Sequence, residues 1–88
     1  MHEYHLFRQF IDKIEEIAKL EKATKVTKLH FSIGTLANIT TTHFLEHLNP
    51  LLKETIAQDA EIVITAENDL DSIKAQQITL VSIEFLDA

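Results

Sequence analysis

The sequence contains no cysteine and no tryptophan, and it has one glycine and one proline among 88 residues. Without cysteine the chain forms no disulfide, no thiolate zinc site and no iron–sulfur cluster, and it has no cysteine nucleophile. No run of about 18 apolar residues is present, so no transmembrane helix is predicted. The N-terminus lacks a basic segment followed by an apolar one, so no secretory signal is predicted and we expect a cytoplasmic protein.

Basic side chains are also few, because eight lysines and arginines stand against 14 acids and give a net charge of −6. The only concentration of lysines, between Lys13 and Lys28, is interspersed with acids, whereas phosphate binding needs a dense basic face. We therefore expect no nucleic-acid partner. An acidic chain instead suits a cation or a basic protein surface. The apolar content of 45% is ordinary for a folded chain, and the length predicts one domain, residues 1–88.

The spacing of apolar residues predicts five elements in the order α-β-α-β-β. Residues 5–22 carry a helical stripe with a period of three to four residues, and Phe44 to Leu52 form the apolar face of a second helix. Alternating patterns predict strands at residues 26–33, 60–66 and 77–86. Two helices packed on one face of a three-stranded sheet make the simplest two-layer arrangement, an α/β domain of the α+β type.

Five local features refine this prediction. In the first strand, alternation places Leu29 toward the core and Val26 toward solvent. Gly34, the only glycine, is predicted to end that strand where a non-standard backbone angle is needed. Pro50 predicts a kink in the second helix, or a short helix followed by one further turn. Residues 67–76 are polar and predict a loop, with or without a helical turn. Candidate N-caps of the second helix are Thr40, Thr41 and Thr42.

The first five residues concentrate nitrogen donors, because they combine the α-amine with His2, His5 and several backbone amides. The α-amine, the His2 amide nitrogen and the His2 ring can all reach one ion. Such donors favour a tetragonal site for Ni(II) or Cu(II). We expect Met1 to be retained, because a second residue as large as histidine blocks its removal. The alternative is a surface histidine near a frayed chain end.

The four other histidines are also candidate ligands. His5 follows His2 by three residues, and it is either an additional ligand or an exposed helix residue. His43 and His47 have the i,i+4 spacing that can place two imidazoles on one ion, but a solvated or packing role is favoured because the His-Glu-x-x-His pattern is absent. His30 is predicted on the solvated face of its strand.

Enzymatic chemistry finds no support in the residue patterns. The chain has no nucleophile motif and no phosphate-binding glycine loop, and therefore no enzyme is predicted. Asp69 and Asp71 share one loop and can bind a cation loosely, although a solvated loop is favoured.

Several segments resemble the hydrogenase-maturation nickel metallochaperones of the HypA/HybF family: Met1-His2-Glu3-Tyr4 before an amphipathic helix, Val26-Thr27-Lys28, Ile33-Gly34-x-Leu36 and Val81-Ser82-Ile83-Glu84-Phe85. The resemblance implies a nickel domain of the predicted α-β-α-β-β type. It also implies Ni(II) bound by Met1, His2 and Glu3, with His5 as a further candidate, and delivery of that metal to a nickel enzyme such as hydrogenase. Either that enzyme or an accessory GTPase is then the partner.

The chain also departs from that family. Its members normally insert a zinc domain with two Cys-x-x-Cys pairs between the last two strands, where this chain has only residues 67–76. The resemblance is thus to a short form lacking the zinc domain, with Ni(II) and no zinc. Thr35 replaces a usual glutamate, and Thr40 to Thr42 replace a stretch where an acid is common. The alternative function is a structural or protein-interaction domain of the same fold that has lost metal delivery.

Overall fold

The computed structural model describes residues 2–87, with side chains from His5 to Asp87. Its elements are helix α1 (His2–Leu20), strand β1 (Ala23–Gly34), helix α2 (Thr41–Leu52), strand β2 (Glu61–Glu67), a 3-10 helix (Ile73–Gln76) and strand β3 (Ile78–Asp87). The predicted α-β-α-β-β order is confirmed, and the loop at 67–76 contains the helical turn. None of the helices in this described part combines the length and the apolarity needed to cross a bilayer.

The three strands form one mixed sheet with the spatial order β2-β1-β3. The central strand β1 is parallel to β2, with Leu29 opposite Ile62, and antiparallel to β3, with Leu29 opposite Ile83. Because β2 and β3 flank β1 on opposite sides, the connection between Glu67 and Ile78 has to cross the end of β1. That end is Gly34.

Both helices contribute to a core on one face of the sheet, as predicted. An aromatic cluster joins the layers: the ring centroids of Phe7 and Phe44 are 5.2 Å apart, those of Phe31 and Phe44 are 5.0 Å apart, and those of Phe10 and Phe31 are 5.2 Å apart. Such tilted pairs add about 0.5–1.5 kcal/mol each beyond the burial of their area. The buried hydrophobic side chains of the main cluster are Phe7, Phe10, Ile11, Ile14, Ala18, Val26, Leu29, Phe31, Ile33, Phe44, Leu48, Leu52 and Ala57.

The prediction that Val26 faces solvent is wrong, since its side chain is fully buried like that of Leu29. The pairing of β1 with β3 shifts register between Val26 and Lys28. A bulge of this kind inserts one extra residue and reverses the alternation of side chains on either side of it. Thr27 sits in the bulge, and its hydroxyl donates a hydrogen bond to the carbonyl of Glu84 at 3.2 Å.

Helix α2 (Thr41–Leu52) is not split at Pro50. Thr40 is the N-cap, and its hydroxyl accepts a hydrogen bond from the backbone N–H of His43 at 3.1 Å. The helix then continues through Pro50 and ends at Leu52, so the alternative of a short helix plus a separate turn is wrong. Its buried residues are Phe44, Leu48 and Leu52. Burying three large side chains stabilises by about 1.5–3 kcal/mol each, which offsets the roughly 3 kcal/mol that an interior proline costs.

Gly34 is required for a different reason from the predicted one, because its φ is not positive. The backbone of the 3-10 helix lies directly against it, and a Cβ atom at this position would lie well under 3.0 Å from the carbonyl oxygens of Lys74 and Ala75. The Gly34 N–H donates to the Gln77 carbonyl at 2.9 Å, and the Leu36 N–H donates to the Ala75 carbonyl at 2.7 Å. The connection therefore crosses β1 at the one position without a side chain.

Candidate metal site

The candidate site begins at the first turn of α1. This helix starts at His2, three residues before the predicted start, and Phe7 anchors its N-terminal turns because its ring is buried against Phe44. Met1 lies outside the described residues, and so do the side chains of His2 and Glu3. A helix rises 1.5 Å per residue, so the backbone of His2 lies roughly 7.5 Å along the axis from Phe7. The backbone of His2, where the described residues begin, is thereby connected to the core by little more than one helical turn.

The backbone amides of this turn have a property that matters for metal binding. The first four N–H groups of an α-helix have no acceptor within the helix. Because α1 begins at His2, the amide nitrogens of His2 and Glu3 are not committed to the helical hydrogen-bond ladder. His5, the remaining predicted ligand, is exposed and stands three residues after His2 in the same helix. Residues at this spacing are neighbours on a helix surface.

His43 and His47 form a close pair on the exposed side of α2. Their Nε2 atoms are 2.9 Å apart and their ring centroids 4.6 Å apart. The ring of His47 also stacks on Phe7 of α1, with centroids 5.6 Å apart and an interplanar angle of 25°. The i,i+4 spacing in the sequence indicates that the two rings can contact each other. The stacking of His47 on Phe7, which links the pair to α1, cannot be predicted from the sequence of either helix alone.

The hydroxyls of Thr35 and Thr40 make exposed structural hydrogen bonds. The Thr35 hydroxyl donates to the Glu67 carbonyl at 3.0 Å, and the Thr40 hydroxyl caps α2. A cleft of about 460 Å³ lies beside the first turns of α1, and its described lining contains no ionisable side chain. The lining residues are Leu6, Phe7, Ala37, Ile39, Gln76, Gln77 and Ile78.

The remaining polar candidates are engaged in local structure. The Asp69 carboxylate accepts the Asp71 N–H, and the Glu67 carboxylate accepts the Asp69 N–H, both at 3.1 Å, so these acids shape the loop. The Nε2 of His30 is 3.1 Å from the Thr65 hydroxyl across the open sheet face. Within the side chains that the structure describes, no three histidines or acids converge on one point.

Comparison with known proteins gives a family match that starts at the first residue. Residues 1–70 match the family model described as hydrogenase/urease nickel incorporation, metallochaperone, hypA. The hydrogenase maturation factor HypA of Aquifex aeolicus (strain VF5) is 35% identical over 68 residues, which cover 76% of this chain and 58% of the relative. The chain thus aligns with little more than half the length of that relative.

Two solved structures share the fold. The solution structure of the Ni metallochaperone HypA from Helicobacter pylori superposes with a TM-score of 0.81 at 20% identity, covering 97% of each chain. A second solution structure, of a HypA protein, gives a TM-score of 0.81 at 23% identity and covers 100% of this chain and 98% of that one. At these identities the likeness establishes the arrangement of helices and strands.

Proposed function

We propose that this chain, which belongs to the HypA family of nickel-incorporation metallochaperones, binds Ni(II) at its N-terminus and delivers it to a nickel enzyme such as hydrogenase. The observation that carries the proposal is the family match beginning at residue 1, on a terminus that leads at once into an anchored helix. Ni(II) is the cargo in this proposal. The protein that receives it is either the nickel enzyme or an accessory GTPase.

Four nitrogen donors of the terminal segment are assigned to the ion. The Met1 α-amine and the His2 amide nitrogen close a five-membered chelate ring, and the His2 imidazole and the Glu3 amide nitrogen complete the set. This set is tetragonal and all-nitrogen, which Ni(II) and Cu(II) accept and Zn(II) does not favour. The start of α1 at His2 supports the assignment, because both amides lie where a helix leaves its N–H groups without internal acceptors. His5 is the candidate for an additional ligand.

Electrostatics make amide deprotonation part of the proposed reaction. The N-terminus of a helix carries a partial positive charge of roughly half an elementary charge, which opposes a bound cation. Loss of the two amide protons adds two negative charges and offsets that repulsion. Metal binding should therefore release protons, and Ni(II) affinity should rise with pH as amine, imidazole and amide donors lose their protons.

The test is calorimetry with Ni(II) on four forms of the protein: the chain beginning at Met1, the same chain with an uncleaved histidine-free tag, His2→Ala and His30→Ala. His30 is the matched control, because it removes a histidine whose described contact is Thr65 on the sheet. We expect the tag and His2→Ala to lower affinity to similar extents and His30→Ala to leave it unchanged. His5→Ala should have a smaller effect than His2→Ala.

A spectroscopic readout tests the donor set. Square-planar Ni(II) with four nitrogen donors is diamagnetic, so the NMR signals of α1 should shift on binding without broadening. Broadening of these signals would assign a six-coordinate ion and overturn the role of the amides. Equal affinity in all four forms would remove the N-terminal site.

One observation favours the second candidate, a structural or protein-interaction domain of the same fold. The resemblance implies an acid at Thr35 and another in the stretch Thr40 to Thr42, and in this chain the hydroxyls of Thr35 and Thr40 make structural hydrogen bonds to β2 and at the start of α2. If this alternative is correct, the chain folds as the family does, but the form beginning at Met1 binds Ni(II) no more tightly than the form with the uncleaved tag. The same four-way titration separates the two functions.

A further inference from the structure

We propose that His43 and His47 form a second metal site, distinct from the N-terminus, that takes one late first-row divalent ion and Cu(II) most tightly. The proposal rests on the position of the two imidazoles on α2 and needs no contribution from Met1 or His2. Affinities for nitrogen ligands rise from Mn(II) to Cu(II) and fall again at Zn(II), which gives the expected order Cu(II) above Ni(II).

The separation of the two Nε2 atoms matches two adjacent ligands of a tetragonal ion. A metal–nitrogen distance of about 2.0–2.1 Å and a right angle at the metal place two nitrogens about 2.9 Å apart, whereas a tetrahedral angle places them about 3.3–3.4 Å apart. The observed separation is 2.9 Å. The pair is therefore already spaced for neighbouring positions on Cu(II) or Ni(II).

The pair is held in this arrangement by contacts on both sides. The N-cap residue Thr40 accepts a hydrogen bond from the backbone N–H of His43, and the buried Phe44 and Leu48 fix the helix on the core. The ring of His47 is stacked on Phe7, which restricts its rotation. A preorganised pair loses little side-chain freedom on binding, so more of the metal–ligand free energy appears as affinity.

The metal-free pair has to contain at least one neutral ring facing the other. At 2.9 Å the two nitrogens share a single proton in an N–H···N hydrogen bond. To bind an ion, both rings must present an unprotonated Nε2. A neutral donor ring does this by carrying its proton on Nδ1 instead, and a doubly protonated ring does it by releasing the Nε2 proton to solvent, so that both rings bind as Nδ1–H tautomers. Two protein ligands leave the other metal positions to water, which keeps the site weak and exchangeable.

Blocking the chain end isolates this site from the N-terminal one. In protein with an uncleaved histidine-free N-terminal tag, we expect Cu(II) to bind in one equivalent. His43→Ala and His47→Ala should each weaken it on the order of tenfold or more, because the second ligand acts at a high effective concentration. Replacing both should abolish the binding.

A matched variant separates spacing from histidine content. His47→Ala combined with Asn49→His keeps two histidines on α2, but residues six apart lie roughly 120° apart around a helix and cannot share an ion. This double variant should bind Cu(II) no better than His47→Ala, and His30→Ala should bind like the parent. Melting temperatures without metal should show that loss of the Phe7 stacking has not unfolded the protein.

Paramagnetic Cu(II) supplies a second readout. Substoichiometric Cu(II) should broaden the NMR signals around His43 and His47 in the blocked protein. Absence of binding, broadening centred elsewhere, or full binding by the spacing variant would each overturn the proposal. The result is independent of the N-terminal site, since that site is measured on His43→Ala/His47→Ala protein with a free terminus.

Discussion

Replacing Gly34 by alanine tests how closely the connection from β2 to β3 packs against the end of β1. The added methyl group would overlap the carbonyl oxygens of Lys74 and Ala75, and both belong to backbone. Backbone cannot rotate aside as the end of a long side chain can. The 3-10 helix therefore has to move away from β1 to admit the variant.

The expected loss of stability follows from the contacts at this crossing. Forcing an extra methyl into a packed site costs typically 1–3 kcal/mol. Moving the 3-10 helix also strains the hydrogen bonds from Gly34 to Gln77 and from Leu36 to Ala75, each with a net value of about 0.5–1.5 kcal/mol. Alanine recovers about 0.4–1 kcal/mol by restricting the unfolded chain. We expect a net loss of about 2–4 kcal/mol.

Urea unfolding followed by circular dichroism measures this loss. For a domain of this size, each kcal/mol lowers the melting temperature by about 4–8 °C, so a loss of about 2 kcal/mol or more should make Gly34→Ala melt at least about 8 °C below the parent. Thr35→Ala is the matched control, because it removes one exposed hydroxyl contact to Glu67 at the same crossing and adds no bulk. If Gly34→Ala unfolds within about 0.5 kcal/mol of the parent, the crowding argument is refuted.

Three further outcomes are expected. In protein with a free N-terminus, replacing both His43 and His47 by alanine should leave the Ni(II) affinity largely unchanged. A large loss of affinity in calorimetry would show that the main nickel site is on α2. Treatment with a chelator should leave the circular dichroism spectrum intact, with no zinc by elemental analysis, because the chain has no cysteine to build a structural zinc site; unfolding on chelation would contradict this. Thr40→Ala should lower stability by about 1 kcal/mol through loss of the N-cap of α2, with Thr41→Ala as a nearly neutral control in the same urea assay.

The order of elements could be predicted because each one has a strong apolar period. The errors arise where a distant segment decides the local structure. Val26 is buried because pairing with β3 inserts a bulge, and Pro50 stays inside α2 because the core holds residues on both sides of it. The need for glycine at position 34 comes from the 3-10 helix, about forty residues later in the chain.

The candidate sites also combine features that the sequence predicts with features that depend on distant segments. The N-terminal nickel site was predicted from residue types and from the family resemblance, and it stays a prediction because the side chains of His2 and Glu3 lie outside the described residues. The i,i+4 spacing of His43 and His47 is visible in the sequence. Their close approach depends also on the position of the His47 ring, which rests on Phe7 in another helix. Such a contact between helices has no signature in either segment alone.

The central position of β1 affects how the chain is made. This strand is synthesised early, but both of its hydrogen-bonding partners come later, at residues 61–67 and 78–87. At about 5–20 residues per second, roughly 3–10 s separate synthesis of Gly34 from completion of β3. During that interval α1 is available to cover the apolar face of β1, but one backbone edge of β1 has no native partner until β2 is made, and the other has none until β3 is made. The nascent chain is therefore open to pairing with strands of other molecules until β3 has been synthesised.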